Sequence, residues 1–116
     1  MPTIKQGEIY DYDFGLPEDN RQAGLRPALV VQTDYLNAPP GYPLTLIVPI
    51  TTKSRGTSRS HVMILPDKSN GLTATSFAKC EQVFTVQKED LSWRLGVISQ
   101  EGMDAVREAL RLVFRL

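Results

Sequence analysis

Short apolar segments, each followed by turn-forming residues, constrain the fold of this chain more than any other feature of its sequence. In the first segment Tyr10, Tyr12 and Phe14 alternate with Asp11 and Asp13, which is the period of a half-buried β-strand. Gly, Pro and Asn residues mark the predicted loops at 15–25 and 33–43, and Thr and Ser residues make 51–60 a further polar loop. The predicted strands are Glu8–Phe14, Ala28–Gln32, Leu44–Ile50, His61–Leu65 and Ser76–Thr85, with Val97–Ile98 as a further short candidate.

The C-terminal segment has a helical period instead. Ser99 is suited to cap a helix, Glu101 lies in its first turn, and Arg111 and Arg115 lie in its last turn. Apolar residues recur on one side of this helix at Met103, Val106, Leu110, Val113 and Phe114. Short strands followed by one helix predict a mainly β domain, built as a small antiparallel barrel.

Length and composition limit the class of protein. The 116 residues suffice for one domain, 1–116, and 41% hydrophobic with 22% charged residues is typical of a soluble globular chain. With one cysteine, Cys80, and one histidine, His61, the chain has neither an internal disulfide nor a Cys/His zinc set. The apolar run Leu44–Ile50 is too short to cross a bilayer, and the N-terminus lacks the apolar core of a signal peptide. We therefore expect a cytoplasmic protein without a membrane partner.

Charge is balanced overall but unevenly distributed. Thirteen Lys and Arg residues offset thirteen Asp and Glu residues, which excludes a polycation that coats nucleic acid. The loop at 51–60, however, carries Lys53, Arg55 and Arg59 among hydroxyl side chains and contains no acid. Such a loop is either an ordinary solvated surface or a local contact for a phosphodiester backbone.

Several motifs, in order along the chain, resemble the MazF/PemK family of toxin endoribonucleases. The most specific of them is Gly24-Leu25-Arg26-Pro27, followed downstream by Pro49-Ile50-Thr51. The resemblance covers nearly the whole chain and rests on Gly7–Tyr10, Gln22–Val31, Val48–Thr52, His61–Ile64, Ser76–Val83, Leu95-Gly96 and the C-terminal helix.

This resemblance implies a small SH3-like antiparallel β-barrel with a C-terminal α-helix, of the MazF/PemK/CcdB-like type. It also implies the toxin of a type II toxin–antitoxin system, an mRNA interferase that cleaves single-stranded RNA at specific sequences, needs neither metal nor cofactor, and arrests growth. The expected partners are single-stranded RNA, an antitoxin that covers the substrate groove, and a second copy in a homodimer. The alternative is a non-catalytic toxin on the same fold that acts by binding a protein, as the gyrase-poisoning relatives do. A plain SH3-like interaction module is disfavoured by the motifs at Arg26 and Thr51.

The resemblance also assigns site residues. Arg26 and Thr51 are the expected catalytic residues. From their own chemistry near these two, the expected substrate-binding residues are Arg21, Gln22, Thr52, Lys53, Arg55 and Gln82. The alternative is an ordinary solvated loop for Thr52 and Lys53 and a neutral surface change for Arg21. Arg21 stands where the family usually has Glu, and Leu25 stands where some members have His, so the sequence leaves the general base unidentified.

Cleavage without a metal uses the 2′-hydroxyl of the substrate as nucleophile, and the enzyme stabilises the charge that develops on the phosphoryl group. Arginine suits this task because its planar guanidinium donates two hydrogen bonds and stays charged. The alternative for Arg26 is an ion pair with Asp11 or Asp13, and the alternative for Thr51 is an ordinary turn residue at a strand end.

Other polar and aromatic residues have two interpretations as well. His61 is favoured as a structural residue over the missing base, and Glu81 as a member of an internal ion pair. Trp93 could stack on a base, although packing under the barrel is favoured. Gln22 reads a base edge or holds its loop. Cys80 is expected to be a small buried side chain.

Overall fold

An antiparallel sheet of seven strands, curled into a half-barrel, forms most of the described protein, and a C-terminal helix packs across it. The computed structural model describes residues 3–16, 23–54 and 58–116. The strands are β1 Glu8–Asp13, β2 Leu25–Val30, β3 Leu44–Thr51, β4 His61–Ile64, β5 Ser76–Lys79, β6 Phe84–Gln87 and β7 Trp93–Val97. The helices are α1 Asp34–Asn37 and α2 Gln100–Phe114, with a 3₁₀ turn at Lys88–Asp90. The architecture confirms the predicted mainly β fold with a C-terminal helix.

Strand β3 lies at the centre of this sheet and changes its partner along its length. The strand order is β4-β5-β3-β2-β1-β7, and β6 also pairs with β3. Residues 44–47 of β3 pair with β6, whereas Ile50 and Thr51 pair with Ala78 and Phe77 of β5. Pro49 lies between the two pairings and has no N–H to donate to a ladder. The exchange of partners there turns the sheet and brings the end of β3 next to β5.

Both faces of the central strands are buried. On one face Ile9, Leu29 and Val48 pack against α2, whose side chains Met103 and Val106 are themselves buried. On the opposite face lies a second core formed by Ile4, Tyr10, Ala28, Val30, Ile47, Val86 and Leu91. Successive residues of a strand point to opposite faces, so two covered faces explain the uninterrupted apolar run at 28–31.

Helix α2 begins where the sequence predicts. The Ser99 side chain accepts a hydrogen bond from the Gly102 N–H at 3.0 Å, which satisfies a free donor of the first turn. The helix ends at Arg115, which has left-handed backbone angles with φ 57°. No helix within the described part of the chain is long and apolar enough to cross a membrane.

Several elements differ from the predicted ones. Strand β2 spans Leu25–Val30 instead of Ala28–Gln32, and β7 spans Trp93–Val97 where the sequence offered only Val97–Ile98. The predicted strand Ser76–Thr85 is two strands, β5 and β6, because a turn intervenes in which the Gln82 N–H donates to the Lys79 carbonyl at 3.0 Å. The predicted loop at 33–43 contains the short helix α1, which begins where the Thr33 hydroxyl oxygen accepts from the Tyr35 N–H at 3.3 Å. Neither of these last two segments carries a strong sequence signal, since the first of them lacks Gly and Pro and the second spans one helical turn.

The predicted packing of Trp93 under the barrel is wrong. Trp93 begins β7, an edge strand, and its side chain is 69% exposed. Cys80 is fully buried as predicted, and burial, with a smaller effect from the Glu81 charge, raises the pKa of its thiol to about 12.

Candidate active site

A row of side chains from five neighbouring strands crosses one face of the sheet. Tyr12 of β1 lies opposite Arg26 of β2, and Phe77 of β5 lies opposite both Thr51 of β3 and Met63 of β4. Directly paired residues of antiparallel strands point to the same side, at a strand spacing of about 4.8 Å.

The two predicted catalytic residues are neighbours in this row. Ala28 of β2 pairs with Pro49 of β3. Continuing this register by two residues along each strand brings Arg26 level with Thr51 on the same face. The fold therefore brings together two side chains that are well separated in sequence.

The guanidinium of Arg26 is anchored at one nitrogen. The side chain is half-buried, and its Nε donates to the Ala23 carbonyl at 2.6 Å. Asp11 and Asp13 alternate with Tyr12 and so point to the other face. Among the described ion pairs, neither aspartate pairs with Arg26, so the alternative of an Asp11 or Asp13 ion pair is wrong there. Anchoring through Nε leaves the terminal Nη groups to donate to an anion.

Thr51 ends β3, and its side chain begins the turn that follows. The residue is 4% exposed, and its Oγ1 accepts a hydrogen bond from the Lys53 N–H at 3.1 Å. Because the oxygen acts as acceptor in this bond, the hydroxyl proton is left to donate elsewhere. Thr52 and Lys53 are both exposed and lie at the rim next to it.

A polar network lies beside this turn. His61 Nδ1 is 2.8 Å from Ser54 Oγ, and His61 Nε2 is 3.0 Å from Glu81 Oε2. The other carboxylate oxygen of Glu81 accepts from Ser60 Oγ at 2.8 Å. An ionised carboxylate only accepts, so Nε2 carries a proton and donates it to Glu81, and in the neutral imidazole Nδ1 accepts from Ser54. An imidazole held by a carboxylate in this way is oriented to accept a proton at Nδ1.

The carboxyl of Glu81 stays ionised in this network. Its burial raises the pKa, but hydrogen bonds from Ser60, its own backbone N–H and His61, together with the charge of His61, outweigh burial and lower the pKa of Glu81 below its usual value. The predicted internal ion pair of Glu81 is present, with His61 as its partner.

The sequence placed His61 apart from the catalytic motifs, whereas the structure places it beside the segment that follows Thr51. Antiparallel pairing of β4 with β5 sets His61 opposite Lys79, and the turn that follows Lys79 brings Glu81 to His61. The pairing of β4 with β5 could have indicated this arrangement. The sequence analysis missed it because it predicted one strand over Ser76–Thr85 and so no turn at Glu81.

The remaining predicted site residues have different outcomes. Gln82 is half-buried in the turn between β5 and β6, next to Glu81. Trp93 pairs with Asp11 and therefore points away from the face that carries Arg26. Three predicted residues, Arg21, Gln22 and Arg55, lie outside the described residues.

A metal centre has no ligand set in the region that the structure describes. Across residues 3–16, 23–54 and 58–116, no group of three His, Cys, Asp or Glu side chains is arranged to hold a metal ion.

Known proteins share this fold and sequence pattern. A family model described as the PemK-like, MazF-like toxin of type II toxin–antitoxin systems matches residues 5–114. The chain is 30% identical over 114 residues to endoribonuclease MazF2 of Mycobacterium bovis, which covers 98% of this chain and 99% of that protein. It is 28% identical over 113 residues to endoribonuclease EndoA of Bacillus subtilis, which covers 97% and 96%. A mycobacterial endoribonuclease solved with its cognate antitoxin has the same fold, with a TM-score of 0.80 at 24% identity over 97% of this chain and 96% of that one.

Proposed function

Because the chain belongs to the PemK-like, MazF-like family of toxins from type II toxin–antitoxin systems, we propose that it is a sequence-specific endoribonuclease acting on single-stranded RNA. The proposal is carried by two observations: Arg26 and Thr51 are level across β2 and β3, and the His61–Glu81 pair is hydrogen-bonded to Ser54, three residues after Thr51. These groups supply a phosphate ligand and a proton acceptor, which cleavage through the 2′-hydroxyl requires. Relatives named endoribonucleases favour this function over the gyrase-poison alternative.

The reaction transfers the phosphoryl group within the substrate. The ribose 2′-oxygen attacks the adjacent phosphorus, the bond from phosphorus to the 5′-oxygen breaks, and the products are a 2′,3′-cyclic phosphate and a 5′-hydroxyl. Arg26 donates from its two Nη groups to the non-bridging oxygens, where negative charge builds up. The Thr51 hydroxyl donates a further hydrogen bond to the same phosphoryl group.

The His61–Glu81 pair fills the role that the sequence left open. Nδ1 of His61 takes the proton of the attacking 2′-hydroxyl, in place of the proton that it now accepts from Ser54. Glu81 orients the ring through Nε2 and stabilises the imidazolium that results. Solvent protonates the leaving 5′-oxygen and later removes the proton from His61. A base supplied by β4 and the β5–β6 turn is consistent with Arg21 standing where relatives carry Glu.

Substrate binding involves the segments around these groups. Thr52 and Lys53 are exposed beside Thr51 and suit contact with the RNA backbone. Gln82, next to Glu81, suits contact with a base edge. The proposed set is completed by Arg21, Gln22 and Arg55, on the two segments whose sequence combines cations with amide and hydroxyl groups.

The toxin–antitoxin assignment brings further proposals. The partners are mRNA, a cognate antitoxin protein that inhibits cleavage, and a second copy of the chain in a homodimer. Residues 1–116 form one toxin domain that needs no metal or cofactor, acts in the cytoplasm where mRNA is translated, and arrests growth when the antitoxin is absent.

Substitution of Arg26 tests the proposed activity. Purified wild-type protein is incubated with a long single-stranded RNA in the presence of EDTA, and cleavage is followed by primer extension. We expect cleavage at one short motif, and a loss of about 100-fold or more in rate for Arg26→Ala, because the charge that develops on phosphorus loses its ligand.

Arg111→Ala is the matched control. It removes the same charge from the exposed face of α2, where Arg111 pairs with Glu108 at 3.6 Å, and should cleave like wild type. Melting temperatures establish that both variants fold. Cleavage by Arg26→Ala at the wild-type rate contradicts the role of Arg26, and an inactive wild-type protein contradicts the function.

A further inference from the structure

Three aromatic side chains form a cluster at the rim of the sheet. The rings of Tyr12 and Phe14 lie edge to face with their centroids 4.9 Å apart, and those of Phe14 and Phe84 do the same at 5.0 Å. Phe84 opens β6 and Phe14 follows β1, so the cluster joins two strands that do not pair with each other. All three rings pack on the second core but remain partly exposed.

The cluster borders the proposed active site. Tyr12 lies directly opposite Arg26, on the same face. Phe14 donates its N–H to the Gly24 carbonyl at 2.9 Å, at the base of the connection that carries Arg21 and Gln22. Phe84 follows Gln82 by two residues.

We infer that this aromatic cluster, through the ring of Tyr12, stacks on an unpaired nucleobase adjacent to the phosphate held by Arg26. The inference rests on the proposed endoribonuclease function and adds a specificity element to it. Nucleobases of single-stranded RNA are recognised by stacking on aromatic rings, which need a π-face or edge at the surface. A base beside the scissile phosphate meets Tyr12 because Tyr12 and Arg26 are direct partners on paired strands, whose backbones are about 4.8 Å apart.

The Tyr12 hydroxyl adds a polar group to this surface. Among the described residues it has no hydrogen-bond partner, so it is available to a base or ribose. Burial, together with the nearby charges of Asp90 and Asp13, raises the pKa of Tyr12, which keeps the hydroxyl protonated and able to donate.

The exposure of the rings separates this role from packing alone. Tyr10 lies two residues earlier on the same face of β1, is 4% exposed, and bonds through its hydroxyl to Glu8 at 3.0 Å. A tyrosine that only packs in the core is buried, and its hydroxyl has a hydrogen-bond partner within the protein. Tyr12 has neither the full burial nor the partner, although it packs on the same core.

The test combines a protein change with a substrate change. The probe is a fluorescein-labelled single-stranded RNA that contains the mapped cleavage motif with a 2′-deoxynucleotide at the cut, so that it binds without being cleaved. A second series replaces each base flanking the cut, in turn, by an abasic site. Binding is measured by fluorescence anisotropy for wild type, Tyr12→Leu and Tyr12→Phe.

For wild type we expect one flanking abasic site to weaken binding by about 5- to 100-fold, the range of one stacked base. Tyr12→Leu should weaken binding of the intact RNA by a similar factor and show no further loss at that abasic position. Tyr12→Phe keeps the ring and should retain the abasic penalty. Tyr35→Leu makes the same substitution at an 84% exposed tyrosine of α1 and should behave as wild type.

Two results would overturn the inference, and they are distinguishable. If wild type cleaves RNA but each abasic site weakens binding by Tyr12→Leu as much as it weakens binding by wild type, the cluster does not stack on a base. The nuclease function then stands. If wild type neither cleaves nor binds any RNA, the proposed function fails and the stacking site fails with it. Melting temperatures of the variants exclude misfolding as the cause of weak binding.

Discussion

Two polar networks in this protein have similar hydrogen bonding but opposite surroundings. The first surrounds Lys88, whose Nζ donates to the carbonyls of Leu36, Asn37 and Pro39 at 3.0, 2.9 and 3.2 Å. The Asn37 side-chain oxygen accepts from Gln32 at 3.0 Å and from Thr45 at 2.8 Å. Lys88, Gln32, Asn37 and Thr45 are all at most 5% exposed.

The second network joins Ser54, His61, Glu81 and Ser60 and reaches the surface. The side chain of His61 is 14% exposed and that of Glu81 38%. Here an imidazole, the side chain best suited to proton transfer near neutral pH, is oriented by a carboxylate beside the turn after Thr51. The difference shows that hydrogen-bond satisfaction alone does not reveal a role. Access and the chemistry of the central group favour a role in stability for the first network and support the catalytic role proposed for the second.

The largest effect is expected from His61→Ala. Loss of the proton acceptor should reduce the RNA cleavage rate by about 100- to 1,000-fold, as for other general bases. The change in melting temperature should be small, because the network around His61 is partly solvated. Single-turnover cleavage at saturating protein measures the rate, and calorimetry measures the melting temperature.

His61→Gln separates proton transfer from positioning. Glutamine can still donate to Glu81 or accept from Ser54, but it does not take up a proton, so its rate should also be low and independent of pH. A rate for His61→Gln equal to that of wild type would remove His61 from the mechanism and return the second network to a structural role.

Lys88→Met should lower stability and leave RNA cleavage unchanged, the opposite of the result expected for His61→Ala. One buried and two partly buried carbonyls lose their donor, so the free energy of unfolding should fall by about 2 to 3 kcal/mol, whereas the cleavage rate per folded molecule should not change. Urea unfolding measures the free energy of unfolding. Titration with the uncleavable RNA gives the amount of binding-competent protein, by which the measured cleavage rate is divided. A selective loss of cleavage in this variant would contradict the division between the networks.

The smallest effect on stability is expected from Glu81→Gln, and this effect depends on pH. The lowered pKa of Glu81 means that its ionised form stabilises the folded state above the ordinary glutamate pKa, and that this contribution is lost as the pH falls through the lowered value. Since the side chain is 38% exposed, the difference from wild type near neutral pH should be below about 1 kcal/mol.

Urea midpoints of both proteins, measured from about pH 7 to about pH 3, test this pH dependence. The urea midpoints of wild type and Glu81→Gln should converge as the pH falls. Curves that stay parallel would mean that the folded state does not favour the ionised carboxyl.

Much of the fold could be read from the sequence because strong local patterns specify it. Alternation in Glu8–Phe14 predicts β1, and Ser99 with the apolar spacing from Met103 predicts α2. The turn at 80–83 was missed because its hydrogen bonds need no Gly or Pro. The exposure of Trp93 was missed because it depends on the position of β7 at the edge of the sheet, a property of topology.

The candidate site was predictable only in part. Motif resemblance selected Arg26 and Thr51, and the strand register brings these two together. The pairing of His61 with Glu81 depends on the β4–β5 register and on the turn after β5, which are long-range features. Phe14 and Phe84 come together only when the sheet curls, so no local pattern indicates the aromatic cluster.

The ends of the RNA fragments test the central claim most directly. Wild-type protein in EDTA should leave a 2′,3′-cyclic phosphate on the upstream fragment and a free 5′-hydroxyl on the downstream fragment, as detected by mass spectrometry and by direct labelling with polynucleotide kinase. An RNA with a 2′-deoxynucleotide at the cut should remain intact. Fragments with a 5′-phosphate and a 3′-hydroxyl, or cleavage of the 2′-deoxy substrate, would contradict attack by the 2′-hydroxyl and the roles of Arg26 and His61 derived from it.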